Sequence, residues 1–152
     1  MALAAILIWY LIIGVLAAIG SVTISRARFS PRVEHIVFAL LLIPIAAMYL
    51  AFLAYFGDYS TFRPEARAVA VFTVLGLLGL RWPALVVLGY ALHGGWDLVH
   101  EISVHLGLGA GAGGARPLTD IPLANGVFCA AYDWGMAAYF HTRRMAWRRA
   151  LE

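Results

Sequence analysis

The chain has 152 residues, 63% of them hydrophobic and only 12% charged, and a formal net charge of +3. Soluble domains run at about half apolar and a quarter charged, so this balance, with a mean hydropathy of +0.85, excludes an ordinary water-soluble fold and points to an integral membrane protein. All eleven basic residues are arginines gathered near segment ends, a pattern of membrane orientation rather than of nucleic-acid binding.

Residues 3–24 carry no charge and are long enough to cross roughly 30 Å of hydrocarbon at about 1.5 Å per residue. No basic residue precedes them, and the run exceeds a signal-peptide core, so they are read as a first transmembrane helix that stays in the protein. Residues 25–32 form a basic turn in which Ser30 and Pro31 open a second helix over residues 33–56, with Pro44 as a kink. After the polar turn at 57–63, Pro64 and Glu65 start a third, shorter helix over 64–80. Arg81, Trp82 and Pro83 then break the chain before a fourth helix over 84–106. Residues 107–120 are rich in glycine, and Gly109, Gly111 and Gly114 match G-x-G-x-x-G. No strand precedes them, so the dinucleotide reading fails its context. A fifth helix spans 121–142, ahead of an arginine-rich tail that anchors at headgroups.

With five spans, Arg26, Arg28, Arg32, Arg81, Arg143, Arg144, Arg148 and Arg149 share one face, and Arg63, Arg67 and Arg116 the other. The richer face is cytoplasmic, which puts the N-terminus outside and the C-terminus inside. Trp82 and Trp147 suit the cytoplasmic aromatic belt. The lone Cys129 forms no internal disulfide and belongs to no C-x-x-C pattern. The expected architecture is a single all-α domain over residues 1–152, a multi-pass bundle of five transmembrane helices in a bacterial inner membrane.

The fourth helix carries the chemistry. His93, Asp97, His100 and Glu101 stand at i, i+4, i+7 and i+8, which puts them on one face within about 100° of arc and about 12 Å of rise. Ten Leu, Val and Ile residues in that helix favour insertion by roughly 3 to 6 kcal/mol, while Asp97 and Glu101 cost roughly 5 to 7 kcal/mol. The stripe therefore needs partners. Counting depth along antiparallel helices 4 and 5 sets Asp133 level with His93 to Asp97, Cys129 near Asp97, and Asn125 near Glu101. His35 and His105 fall near the membrane surfaces and His141 lies deeper, so these three stay outside the cluster. Gly76, Gly79, Gly89, Gly94, Gly95, Ala131 and Gly135 allow close helix contact.

Imidazoles and carboxylates converging at one depth form the donor set of a divalent metal site for Fe, Zn or Mn. Here His93, Asp97, His100 and Asp133 are the ligands, Asp133 serves as ligand or general base, and Glu101 is an orienting group or proton acceptor. The reading is a metal-dependent membrane enzyme acting on an apolar or lipid-like substrate. The same groups also suit a proton, ion or small-molecule transporter, or a network that fixes helix register in a homo-oligomer or a structural subunit of a membrane complex.

Two motifs carry a resemblance, LHGGWDLVH at residues 92–100 and CAAYD at 129–133 after Pro122. The chain is similar in them to small bacterial integral membrane proteins of the DUF6010 type. The resemblance implies a multi-span membrane fold, draws attention to His93, Asp97, His100 and Asp133, and supplies no activity. Where the pattern has a further histidine after His100, this chain has Glu101, also able to ligate a metal but different in charge.

Overall fold

Local sequence decides most helix boundaries in the computed structural model of the chain, which describes residues 1–57, 59–105 and 118–152. Helix α1 spans Ala2–Arg28. Ser30 then accepts the Val33 amide on its hydroxyl oxygen at 3.4 Å and Pro31 fills the first helical position, so α2 runs Pro31–Phe56 and ends on Gly57, whose φ of 70° is cheap only for glycine. It continues unbroken through Pro44. Helix α3 covers Phe62–Gly79 and α4 Pro83–His105, the latter opening on its proline. Helix α5 is Asn125–Leu151. The described residues are all-α, five helices without a strand. Gly109, Gly111, Gly114 and Arg116 lie outside them.

Both ends of α5 differ from the expected 121–142. Pro122 removes a backbone donor and Ala124 takes a left-handed φ of 63°, so the helix begins only at Asn125. At the far end residues 143–149 are helical, with Arg144, Arg148 and Arg149 exposed. They extend the helix, because Arg143 and Trp147 both find the Glu34 carboxylate. Trp147 is accordingly 0% exposed instead of sitting in an interfacial belt, whereas Trp82 is 53% exposed.

The longest seam joins α4 to α5. Helix α1 lies on α5, α2 on α3, α3 on α4, and α2 also touches α4 and α5. Close approach depends on two glycines outside the expected set. A Cβ at Gly126 would stand 2.3 Å from the Asp97 carbonyl oxygen, and one at Gly14 would stand 2.4 Å from that of Phe128. Gly95, expected at a contact, has nothing within 4 Å of its Cβ direction. Phe38, Leu42, Val86, Tyr90, Met136 and Phe140 fill the core. Helix α1 buries only Gly14, Ala18 and Ser25 and leaves Ile8, Leu11, Ile12, Leu16 and Ile19 exposed. Two helices, α1 and α2, are long and apolar enough to cross a membrane. The other three dilute their apolar residues with polar side chains, which turn inward on α4 and are divided between interior and surface on α3 and α5.

Candidate metal centre

Buried polar side chains fall into three levels along the bundle, and each uses residues far apart in sequence. The middle level is built by α4, α5 and α2. The four-residue spacing on α4 stacks His93 and Asp97 one turn apart, and the Gly126 contact holds α5 close enough for Asp133 to meet them. His93 Nδ1 lies 2.7 Å from Asp133 Oδ2 and 3.2 Å from Asp97 Oδ2. One ligand atom from each of the three falls within 4.8 Å of the others, and each residue is 1% exposed. Tyr49 on α2 donates its hydroxyl to Asp97 Oδ1, which turns Oδ2 toward His93. Phe72 of α3 sets its ring edge-on to His93 at 4.8 Å between centroids.

The donor chemistry fits a divalent cation. A neutral imidazole and two carboxylates carry two negative charges, which burial penalises heavily unless cancelled by protons or by a 2+ ion. Asp97 Oδ2 has no hydrogen bond of its own, as a carboxylate oxygen poised for a cation would not, and His93 Nε2 is likewise buried without a partner. One nitrogen and two oxygens from three residues would leave a bound ion further positions to fill, as catalytic sites require. An oxygen-rich set of this kind suits Mn²⁺, Fe²⁺ or Zn²⁺ better than soft Cu(I).

That cavity, of about 340 Å³, has His93, Asp97 and Asp133 in its wall together with Asn125, Cys129 and Tyr132 of α5 and an apolar side from α2. Cys129 is a free thiol at the cavity edge.

Two sequence-predicted residues lie elsewhere. His100 shares the face of His93 but stands seven residues on, about 10 Å along the axis, farther than one ion spans. Its Nδ1–H donates to the Trp96 carbonyl at 3.0 Å, and its Nε2 lies 3.0 Å from Glu65 Oε1. A carbonyl only accepts, so Nδ1 holds a proton, and Nε2 is engaged by Glu65. Neither nitrogen is left for a metal. Glu101, the expected proton acceptor, takes the amides of Ala124 at 3.0 Å and Gly126 at 2.9 Å and so caps α5.

These two residues belong to a second level, where Glu65 Oε1 also accepts the Thr119 amide at 3.0 Å and Thr119 is 1% exposed. The third level, at the opposite end, centres on Glu34. Its carboxylate accepts from Ser25 at 2.7 Å, Tyr139 at 2.5 Å, Arg143 at 3.0 Å and Trp147 at 2.7 Å. Beside it His35 donates Nε2–H to the Gly79 carbonyl at 2.7 Å and stacks on Trp147. Tyr49, Glu65 and Glu34 escape sequence reasoning. Tyr49 reads as an ordinary aromatic in an apolar run, Glu65 as a first-turn acid on the helix dipole, and Glu34 as a side chain at a helix mouth within reach of headgroups.

An all-α bundle with a buried His/Asp centre beside an apolar cavity is the class that fold and site define. A model of the DUF6010 family, a family of unknown function, matches residues 9–146, and the chain belongs to that family. No curated protein and no solved structure matches it.

Proposed function

We infer that the chain is a multi-pass membrane protein that binds a divalent metal ion through His93, Asp97 and Asp133 and uses it on an apolar or lipid-like substrate. The observation that carries this reading is the convergence of those three side chains, each 1% exposed, on the wall of a cavity large enough for a small molecule. Five transmembrane spans with the N-terminus out and the C-terminus in, in a bacterial inner membrane, accord with the arginine distribution, the length and apolarity of α1 and α2, and the exposed apolar face of α1.

A bound ion would polarise a substrate oxygen or acidify a water. The chain's own groups do the rest. Tyr49 fixes the Asp97 carboxylate, His93 and Asp133 complete the ligand set, and the Asp133 oxygen not facing His93 is the group placed to take a proton from a molecule in the cavity. Glu101 supports the site indirectly by fixing where α5 starts.

A transporter using the same groups needs wet routes to both ends. Against it, Glu34 and Trp147 at one end and Glu65, Glu101 and Thr119 at the other are each no more than 1% exposed. Metal analysis of detergent-purified protein tests the proposal. One ion per chain in the wild type, lost in His93→Ala and Asp97→Ala, is the expected result. No metal, with proton flux in proteoliposomes abolished by the same substitutions, would replace it with the transport reading.

A further inference from the structure

Substrates reach a buried centre either from water at the ends of a bundle or from the side, and the distribution of exposure decides between them. Among the described residues each end is closed by a hydrogen-bonded plug. Glu34 with Trp147 closes one, and Glu65, Glu101 and the buried residues Leu118, Thr119 and Ile121 close the other. The side is different. Leu41 and Met48 line the cavity and are nevertheless 37% and 51% exposed. Helix α1, which contributes Ala17 to the opposite wall, packs along α5 and makes no comparable seam with α2 among the described residues. The cavity therefore opens between α1 and α2, beside the exposed apolar surface of α1.

Its lining is graded in polarity. The α2 wall offers Leu41, Ile45, Met48 and Phe52, whereas the inner end presents the three candidate ligands with Asn125 alongside. We propose that the substrate is a single-chain amphiphile that enters sideways from the bilayer between α1 and α2, with an oxygen-bearing head that ligates the ion at His93, Asp97 and Asp133 and a tail lying along α2. The proposal rests on the metal reading above. A volume of about 340 Å³ is near the lower end of the roughly 300–1,000 Å³ of small-molecule sites. It accepts a head and the first part of one chain, and the remainder extends past Met48 toward lipid.

Dodecanohydroxamic acid and acetohydroxamic acid share a metal-binding head and differ in the tail, so they serve as probes. Their binding to Mn²⁺-loaded protein in nanodiscs is followed by the Mn²⁺ paramagnetic resonance spectrum. Wild type is expected to prefer the long probe at least tenfold over its own partition into the bilayer. Ala17→Trp and Ile45→Trp, which fill the cleft from opposite walls, lose that preference while keeping one Mn²⁺ per chain. Partition acts equally on every form, so the two variants decide. If both retain the preference, or if wild type shows none while holding Mn²⁺, the side entrance is wrong and the metal site stands. If wild type takes up none of Mn²⁺, Fe²⁺ or Zn²⁺, the metal reading fails and this one falls with it.

Discussion

His93 sets the charge balance of the centre, because its Nδ1 faces both Asp97 and Asp133. Two buried carboxylates beside one imidazole favour bound protons when no cation is present, and Tyr49 bonds Asp97 from α2. An incoming divalent ion displaces up to two of those protons, so acid competes with metal and affinity rises with pH. Chelator competition between pH 6 and 8 should show apparent affinity climbing roughly 10- to 100-fold per pH unit, one decade for each proton released. A flat profile would mean that no proton is displaced. Tyr49→Phe frees Asp97 Oδ1 and is expected to weaken metal binding about 10- to 100-fold with the fold intact, measured by the same competition. His100→Ala should do the opposite. Its loss strands Glu65 as a buried acid and lowers thermal stability by an amount typical of a broken buried pair, about 3 to 5 kcal/mol, yet leaves metal stoichiometry at the wild-type value. The sequence pairs His93 and Asp97 with Asp133 because depth counts reliably along straight helices. It also admits His100, because a shared face and a rise of about 12 Å are read as one cluster, whereas His100 stands about 10 Å from His93 along the axis and meets Glu65. Glu65 is invisible beforehand, since nothing in a first-turn acid says which helix it will meet.

Helix α5 is fixed from outside itself at both ends. Its first amides are held by a carboxylate on α4 and its last turns by one on α2. Glu101→Ala should therefore fray residues 124–128 and cost about 1 to 2 kcal/mol, which hydrogen exchange at the Ala124 and Gly126 amides would register as lost protection. Unchanged protection there would mean that the cap is dispensable. The helical pattern and proline breaks make α2, α3 and α4 legible to within about two residues. The boundaries of α5 are not, because tertiary partners place them. An arginine-rich stretch has the same composition whether it ends the chain as a separate tail or, as here, continues a helix that brings a Trp and an Arg to a buried acid.

Across the whole molecule the polar levels alternate with apolar packing, and this arrangement gives the bundle one register. The proposed orientation places the α1–α2 turn and the end of α5 on one side. A reporter fused after residue 152 should be active only when it is a cytoplasmic one, and cysteines introduced singly at Arg28 and Arg144 should be labelled only after the inner face is opened. Labelling from outside would reverse the topology and leave the side-opening cavity untouched. The Glu34 level also bears on how the protein is made. Three of its donors, Ser25, Tyr139 and Trp147, are neutral, and among the described residues the cation bonded to it is Arg143. A nascent chain thus carries an unmatched acid at the α1–α2 hairpin until more than a hundred further residues have left the ribosome. A chain truncated before residue 143 lacks Arg143 and Trp147, and with them the only two nitrogen donors that this carboxylate has among the described residues.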